Sequence, residues 1–492
     1  MLLVAGFLAL SSTPSYGVAF LVTRTDDPTP NGCAPGDCSL REAIVDANAL
    51  AGPDTISLPA GTYTLSIPQD LNPDDGLNGD LDVFDVLTIT GAGAQTTIID
   101  GGDVDRLFDH FGTSLTISGI ALRNGRTAEL NGGGAIHATG NVTLEQVAIT
   151  GSEATAGGGG GIVVEGSTLT IRESALTSNA ALGPSGKGGA LSVSNNASAS
   201  LTNVTVSSNA ANGDGGGISN QSNATTSLIN VTVTANTADA DAEGATGGGG
   251  GIVQTGGEVS LTNTIVAGNV DASTMDKDAD CFGTITSQGY NLIQSVTAGC
   301  AVTTTTGDIT GQDPKIGPLA DNGGPTMTHA LLSGSPAIDA AGPGGPPADQ
   351  RGVSRTPDIG AYELAFCSGT VVNRVGTSGN DTLAGTSGAD GVFALAGDDT
   401  IDTKEADDKV CAGEGSDTVN GASGNDTLLG EGGDDVLTGA GGNDGFDGGT
   451  GTDRLVESGD VDFTLTDASL TTLGIGEAVV TVLNSQGTPT PV

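Results

Sequence analysis

The chain contains no tryptophan, and aromatic residues make up only 3% of its 492 positions. A core built on large rings is excluded, so Val, Ile, Leu and Ala must fill whatever interior exists. Basic residues are equally scarce: 15 Lys and Arg stand against 59 Asp and Glu, a formal net charge of −44. That imbalance argues against nucleic acid or an anionic membrane surface as a partner, because both attract a positive face. There are three histidines and no Cys-x-x-Cys pair, so zinc finds no ligands at a suitable spacing. The apolar run Leu2–Leu10 is too short to span a bilayer, and no other segment is apolar enough to do so.

Glycine is present in excess, 82 residues, and much of it is ordered. From 376 to 455 an aspartate recurs every nine residues: Asp381, Asp390, Asp399, Asp408, Asp417, Asp426, Asp435, Asp444 and Asp453. Two residues after each comes an apolar side chain, and two before each comes glycine, except at Ala406. A disordered Gly/Asp linker would not hold two chemical classes in register through nine repeats. A nine-residue period with one apolar position suits a short strand and a tight turn, glycine supplying the positive φ. Two repeats then close one flattened coil, and aspartates 18 apart stack on one edge. Asp381, Asp399, Asp417, Asp435 and Asp453 form one column; Asp390, Asp408, Asp426 and Asp444 form the other.

Stacked strands lie ~4.8 Å apart, so each column would repel itself without a cation between neighbours. Calcium suits the position, because it accepts about six to eight oxygens from carboxylates and backbone carbonyls. Four neighbour pairs in one column and three in the other predict about seven ions. The weakest unit runs from Asp402 to Val410, where Ala406 replaces glycine and Lys404, Glu405 and Lys409 intervene. Between 376 and 455, 17 acids face 3 bases, so calcium binding should supply folding free energy. The pattern G-x-x-G-x-D-x-U, with U apolar, resembles the RTX nonapeptide repeat of secreted calcium-binding proteins.

A longer period precedes it. Ile117, Leu144, Ile171, Leu201, Leu228 and Leu261 are the central residues of one recurring apolar phrase, at spacings of 27, 27, 30, 27 and 33. Short strands separated by Gly-rich bends at this spacing predict a parallel β-helix, in which stacking buries what one coil cannot. Earlier coils are expected around 55–65 and 86–99. Asn179, Asn209, Asn236 and Asn269 follow the phrase at one fixed offset, which predicts an asparagine ladder. Asn203-Val-Thr and Asn230-Val-Thr read as strand edges. The acids of this body fall at unmatched offsets and His137 stands alone after a Gly bend, so no catalytic set is assigned. A polysaccharide-active lyase or hydrolase is the alternative reading.

At the start, Leu2–Leu10 followed by Gly17-Val18-Ala19 predicts a secretory signal peptide, although a basic stretch before the apolar run is missing. Phe20–Thr25 reads as a strand. Ser39 and Glu42 form a capping box for a helix with Leu40, Ala43, Ile44, Ala47 and Leu50 on one face. That helix would cover the exposed first coil. The six aspartates between Asp70 and Asp85 read as a solvated acidic loop, with a calcium site as the alternative. The even cysteine count reads as disulfides in an exported chain: Cys33/Cys38, Cys281/Cys300 and Cys367/Cys411. The last pair is 44 residues apart, beyond bridging reach in one roll unless 368–375 fold back.

Cys38–Ala43 resembles the CSLREA signature of bacterial secreted β-helix proteins. Four motifs (Asp321-Asn-Gly-Gly-Pro, Gly334-Ser-Pro-Ala-Ile-Asp, Asp349-Gln-Arg-Gly and Asp358-Ile-Gly-Ala-Tyr-Glu) resemble the closing region of choice-of-anchor surface proteins. There Asp349, Arg351 and Asp358 are placed to pair as they close the last coil.

The expected organisation is a signal peptide (1–19), a strand and cap helix (20–54), and a right-handed parallel β-helix of pectin-lyase type (55–312). A closing segment (313–366), a calcium-binding β-roll (367–456), and capping strands with a disordered tail (457–492) follow. The expected role is structural or adhesive, outside the cell or on its surface. Calcium is the ligand, and a surface polysaccharide or protein is the partner.

Overall fold

The structure, a computed structural model, describes residues 17–68, 77–241, 248–273, 278–303, 305–355 and 357–458, and the backbone of 479–483 and 489–490. Most of the expected signal peptide, Asp70, Asp74 and Asp75 of the acidic loop, and most of the expected capping strands and tail lie outside the described residues.

The apolar phrase stacks as its period requires. Ile56, Ile89, Ile117, Leu144, Ile171, Leu201, Leu228 and Leu261 are successive partners in one parallel sheet. Each is almost fully buried. Each coil presents a strand to this first face, for example Ser114–Ser118, and a second to a neighbouring face, Ala121–Arg123. A two-residue strand then leads through a Gly-rich bend to a third face, Ile136–Ala138. All pairings between coils from Ala19–Leu21 to Ile309–Thr310 are parallel, which defines a parallel β-helix.

The cap helix spans Leu40–Asn48 with both halves of the capping box made: Glu42 N donates to Ser39 Oγ at 3.3 Å and Ser39 N to Glu42 Oε2 at 2.8 Å. Leu40, Ala43, Ile44 and Ala47 are buried, but Leu50 lies beyond the helix and is exposed. Its turn ends at Ala49, so the apolar face stops one residue short of it. The strand expected at Phe20–Thr25 is shorter and earlier, Ala19–Leu21.

The asparagine ladder is present. Asn179 Nδ2 donates to Asn209 Oδ1 at 3.0 Å, Asn209 to Asn236 at 2.8 Å and Asn236 to Asn269 at 2.9 Å. Asn269 donates to Asp280 Oδ1 at 2.9 Å, so a carboxylate ends the ladder.

Asn203 and Asn230 are not at strand edges. They occupy left-handed bends (φ 53° at both) inside the strands Ser198–Ser207 and Thr225–Thr234, and both are buried. What buries them is residues 313–366, which run back along the flank of the solenoid as a strap. Asn203 Nδ2 donates to Ala348 O at 2.9 Å, Gln350 Oε1 accepts from Thr205 Oγ1 at 2.8 Å, and His329 Nε2 lies 2.8 Å from Ser207 Oγ. Arg351 pairs with Asp349 at 2.9 Å and lies 3.8 Å over the Tyr362 ring. Asp358 makes no bond to Arg351; it accepts from the amides of Asp339 and Leu364.

All three cysteine pairs are disulfides. The Cys367–Cys411 bridge is made because Phe366–Cys367 and Thr370–Val371 form a hairpin, the fold-back its spacing demanded.

Candidate metal centre

The nonapeptides form two narrow parallel sheets facing each other. Thr382–Ala384, Thr400–Asp402, Thr418–Asn420, Val436–Thr438 and Arg454–Ser458 make one; Arg374–Val375, Gly391–Phe393, Lys409–Glu414, Thr427–Gly432 and Gly445–Asp447 make the other. Ile401, Val410, Val419, Leu428 and Leu437 fill the thin interior between them.

Both aspartate columns are realised. Asp381 N donates to Asp399 Oδ1 at 2.7 Å, Asp399 N to Asp417 at 2.8 Å, Asp417 N to Asp435 at 2.8 Å and Asp435 N to Asp453 at 3.1 Å. In the second column Asp390 N donates to Asp408 at 2.7 Å, Asp408 N to Asp426 at 2.9 Å and Asp426 N to Asp444 at 2.8 Å. One oxygen of each carboxylate after the first in its column thus holds the coil before it.

The other oxygen divides the repeats into two kinds. In Asp381 and Asp390 it accepts from Thr377 and Thr386, through amide and hydroxyl. In Asp399, Asp408, Asp417, Asp426, Asp435, Asp444 and Asp453, Oδ2 is shut off from solvent and reached by no donor. The residue four before the aspartate separates the kinds. It is threonine in the first two repeats. In the other seven it is Leu395, Lys404, Gly413, Ala422, Glu431, Ala440 and Gly449, all at positive φ between 63° and 110°. Sequence reasoning missed this position because glycine marks it only twice; the two threonines were the available signal.

At Asp426, Asp435 and Asp453 the orphan oxygen lies against a glycine, whereas Ala394, Thr403 and Ala412 stand at the same place before Asp399, Asp408 and Asp417. A Cβ added at Gly421, Gly430 or Gly448 would stand 2.2–2.3 Å from Oδ2 of Asp426, Asp435 or Asp453. A Cβ at Gly424, Gly433, Gly442 or Gly451 would strike the carbonyl of the turn one coil earlier. At these four glycines the turns stack too closely to admit a side chain.

Burial, and behind it the other carboxylates of the column, pushes Asp399, Asp426 and Asp435 up to about 6. Burial also raises Asp408 and Asp417. Such groups call for a proton or a cation. The donor set is all oxygen, which fits calcium. Among the described residues no group of three or more acidic, histidine or cysteine side chains is placed to hold a metal ion, so carbonyls would have to supply most of the ligands. Lys404 Nζ donates to Gly385 O at 2.7 Å, placing a fixed positive charge beside the Asp390–Asp408 step.

The solenoid has a charged cluster too. Arg106 contacts Asp80, Asp109 and Glu129, and His137 Nδ1 lies 2.8 Å from Asp109. His137 does not stand alone, as its sequence context suggested. Asp80, Arg106, Asp109 and His137 are all buried, and the cluster reads as an interior ion network.

Residues 375–410, 392–419, 412–446 and 420–455 match the RTX calcium-binding nonapeptide repeat family in four overlapping copies. The chain is a parallel β-helix protein carrying RTX calcium-binding repeats. Among solved structures it is similar to a crystal structure of pectate lyase Pel9A, at 15% identity and a TM-score of 0.45, over 71% of this chain and 97% of that one. No curated protein matches the chain.

Proposed function

We propose that the roll is a calcium-dependent folding module of a secreted or cell-surface protein of structural or adhesive role. Up to seven ions would sit at the nine aspartates, one at each orphan oxygen, with the Asp390–Asp408 step weakened by Lys404. The observation that carries this reading is the set of seven buried carboxylate oxygens without donors. The three disulfides and the negative charge suit an oxidising, calcium-rich exterior. The CSLREA and closing motifs support membership of that surface class.

Hydrogen exchange on the full chain tests it. Amides of 376–455 should exchange rapidly in chelator and become protected at about 10⁻⁴–10⁻³ M calcium, the range of extracellular modules. Equal protection in chelator, or with magnesium alone, would sink the reading.

A second reading rests on an open polar groove of about 320 Å³ on the third face, lined by Asn131, Glu165, Lys187, Asn195 and Gln221 among others. Its chemistry suits a glycan, bound or cut. Release of reducing or unsaturated ends from acidic polysaccharides would establish cleavage.

A further inference from the structure

The solenoid holds a second place where carboxylates meet across coils. Thr237–Ala238 runs parallel to Val270–Asp271, with Ala238 opposite Asp271. Asp239 follows at once, in a left-handed conformation (φ 50°), its amide donating to Gly213 O at 3.1 Å. Asp239 is 2% exposed and Asp271 4%.

The Asp271 oxygens each accept one amide, from Ser273 at 2.9 Å and Asp278 at 3.0 Å. Asp239 is less well served: its Oδ2 is buried with no donor. The two carboxylates lie within hydrogen-bonding reach of each other, and Asp214 and Asp241 add negative charge. Lys187, which could offset it, is engaged with Asp214. Two buried acids within hydrogen-bonding reach cannot both stay ionised and bare. A shared proton or a bridging cation must lie between them.

We propose that Asp239 and Asp271 hold a divalent cation of the calcium class inside the solenoid, joining two consecutive coils. Both carboxylates offer hard oxygens, which suit a hard divalent cation rather than a soft-ligand metal. The site is independent of the roll: it is built from one step between coils, not from a nonapeptide.

Crystals of the full chain grown in calcium and exchanged into a lanthanide would show it as an anomalous peak between the two carboxylates. A peak there supports the site, whether or not peaks also appear in the roll. Its absence overturns the site and leaves a shared proton. If the roll is filled, only this inference falls; if the roll is empty as well, both readings fall. Equilibrium dialysis gives a second readout, since Asp239→Asn should bind one calcium fewer per chain than the parent. Unchanged stoichiometry in a variant that keeps the parent's β signal would also overturn the site.

Discussion

Whether a carboxylate in the roll is left with an unpartnered oxygen depends on the residue four before it. Thr377 and Thr386 complete the first aspartate of each column; every later one is left open under a turn at positive φ. Ala406 is the exception within the glycine series, held at φ 86°, where a Cβ costs ~1–2 kcal/mol. Glycine there would lose ~0.5–1 kcal/mol through the unfolded chain. Ala406→Gly should therefore stabilise the calcium-loaded roll by about 0.5–1 kcal/mol, visible as a higher melting temperature. Proton linkage gives a second expectation. Asp399, Asp426 and Asp435 have metal-free folded values of about 6 against an ordinary 3.8. A raised value means the protonated form favours folding. That stability is complete below about pH 4 and is lost as pH rises through about 6. In chelator the roll should unfold across this window. Calcium affinity should rise over the same window, because the ion needs the bare carboxylates; a titration at several pH values reads both.

The elements repeat, and repetition made them readable. The apolar column from Ile56 to Leu261 and the Asn179–Asn269 ladder both follow from one residue type at one interval, since stacked coils place equal offsets in contact. In the ladder Asn236 accepts from the amide and side chain of Asn209 and donates to Val206 O, Thr234 O and Asn269. Replacing it with alanine strands these buried groups. Asn236→Ala should cost about 2–5 kcal/mol in urea unfolding of the solenoid, while leaving the calcium midpoint of the roll unchanged. The bends at Asn203 and Asn230 were not readable as bends. Asn-x-Thr is compatible with a strand, and only the strap lying against them fixes their role.

At the scale of the whole molecule, the strap and one disulfide join the two repeat systems. Val353, Cys367, Val372, Val375 and Cys411 form a small apolar cluster between strap and roll, and the bridge closes a loop of 44 residues. Constraining such a loop is worth roughly 4 kcal/mol. Cys367→Ser with Cys411→Ser should shift the calcium midpoint of the roll to higher concentration, as measured by hydrogen exchange. An unchanged midpoint would mean that the roll folds without its anchor.

The sequence by itself determined the two solenoids, their periods, the residues of each column and the choice of calcium. Periodic chemistry needs only nearest-neighbour stacking to become structure. Tertiary structure decided what periodicity cannot encode. The strap lies along the flank because scattered polar groups on 313–366 find partners many coils away. Arg106 and His137 are interior because distant acids converge on them. The Asp239–Asp271 meeting depends on coils of unequal length, and no fixed offset announces it.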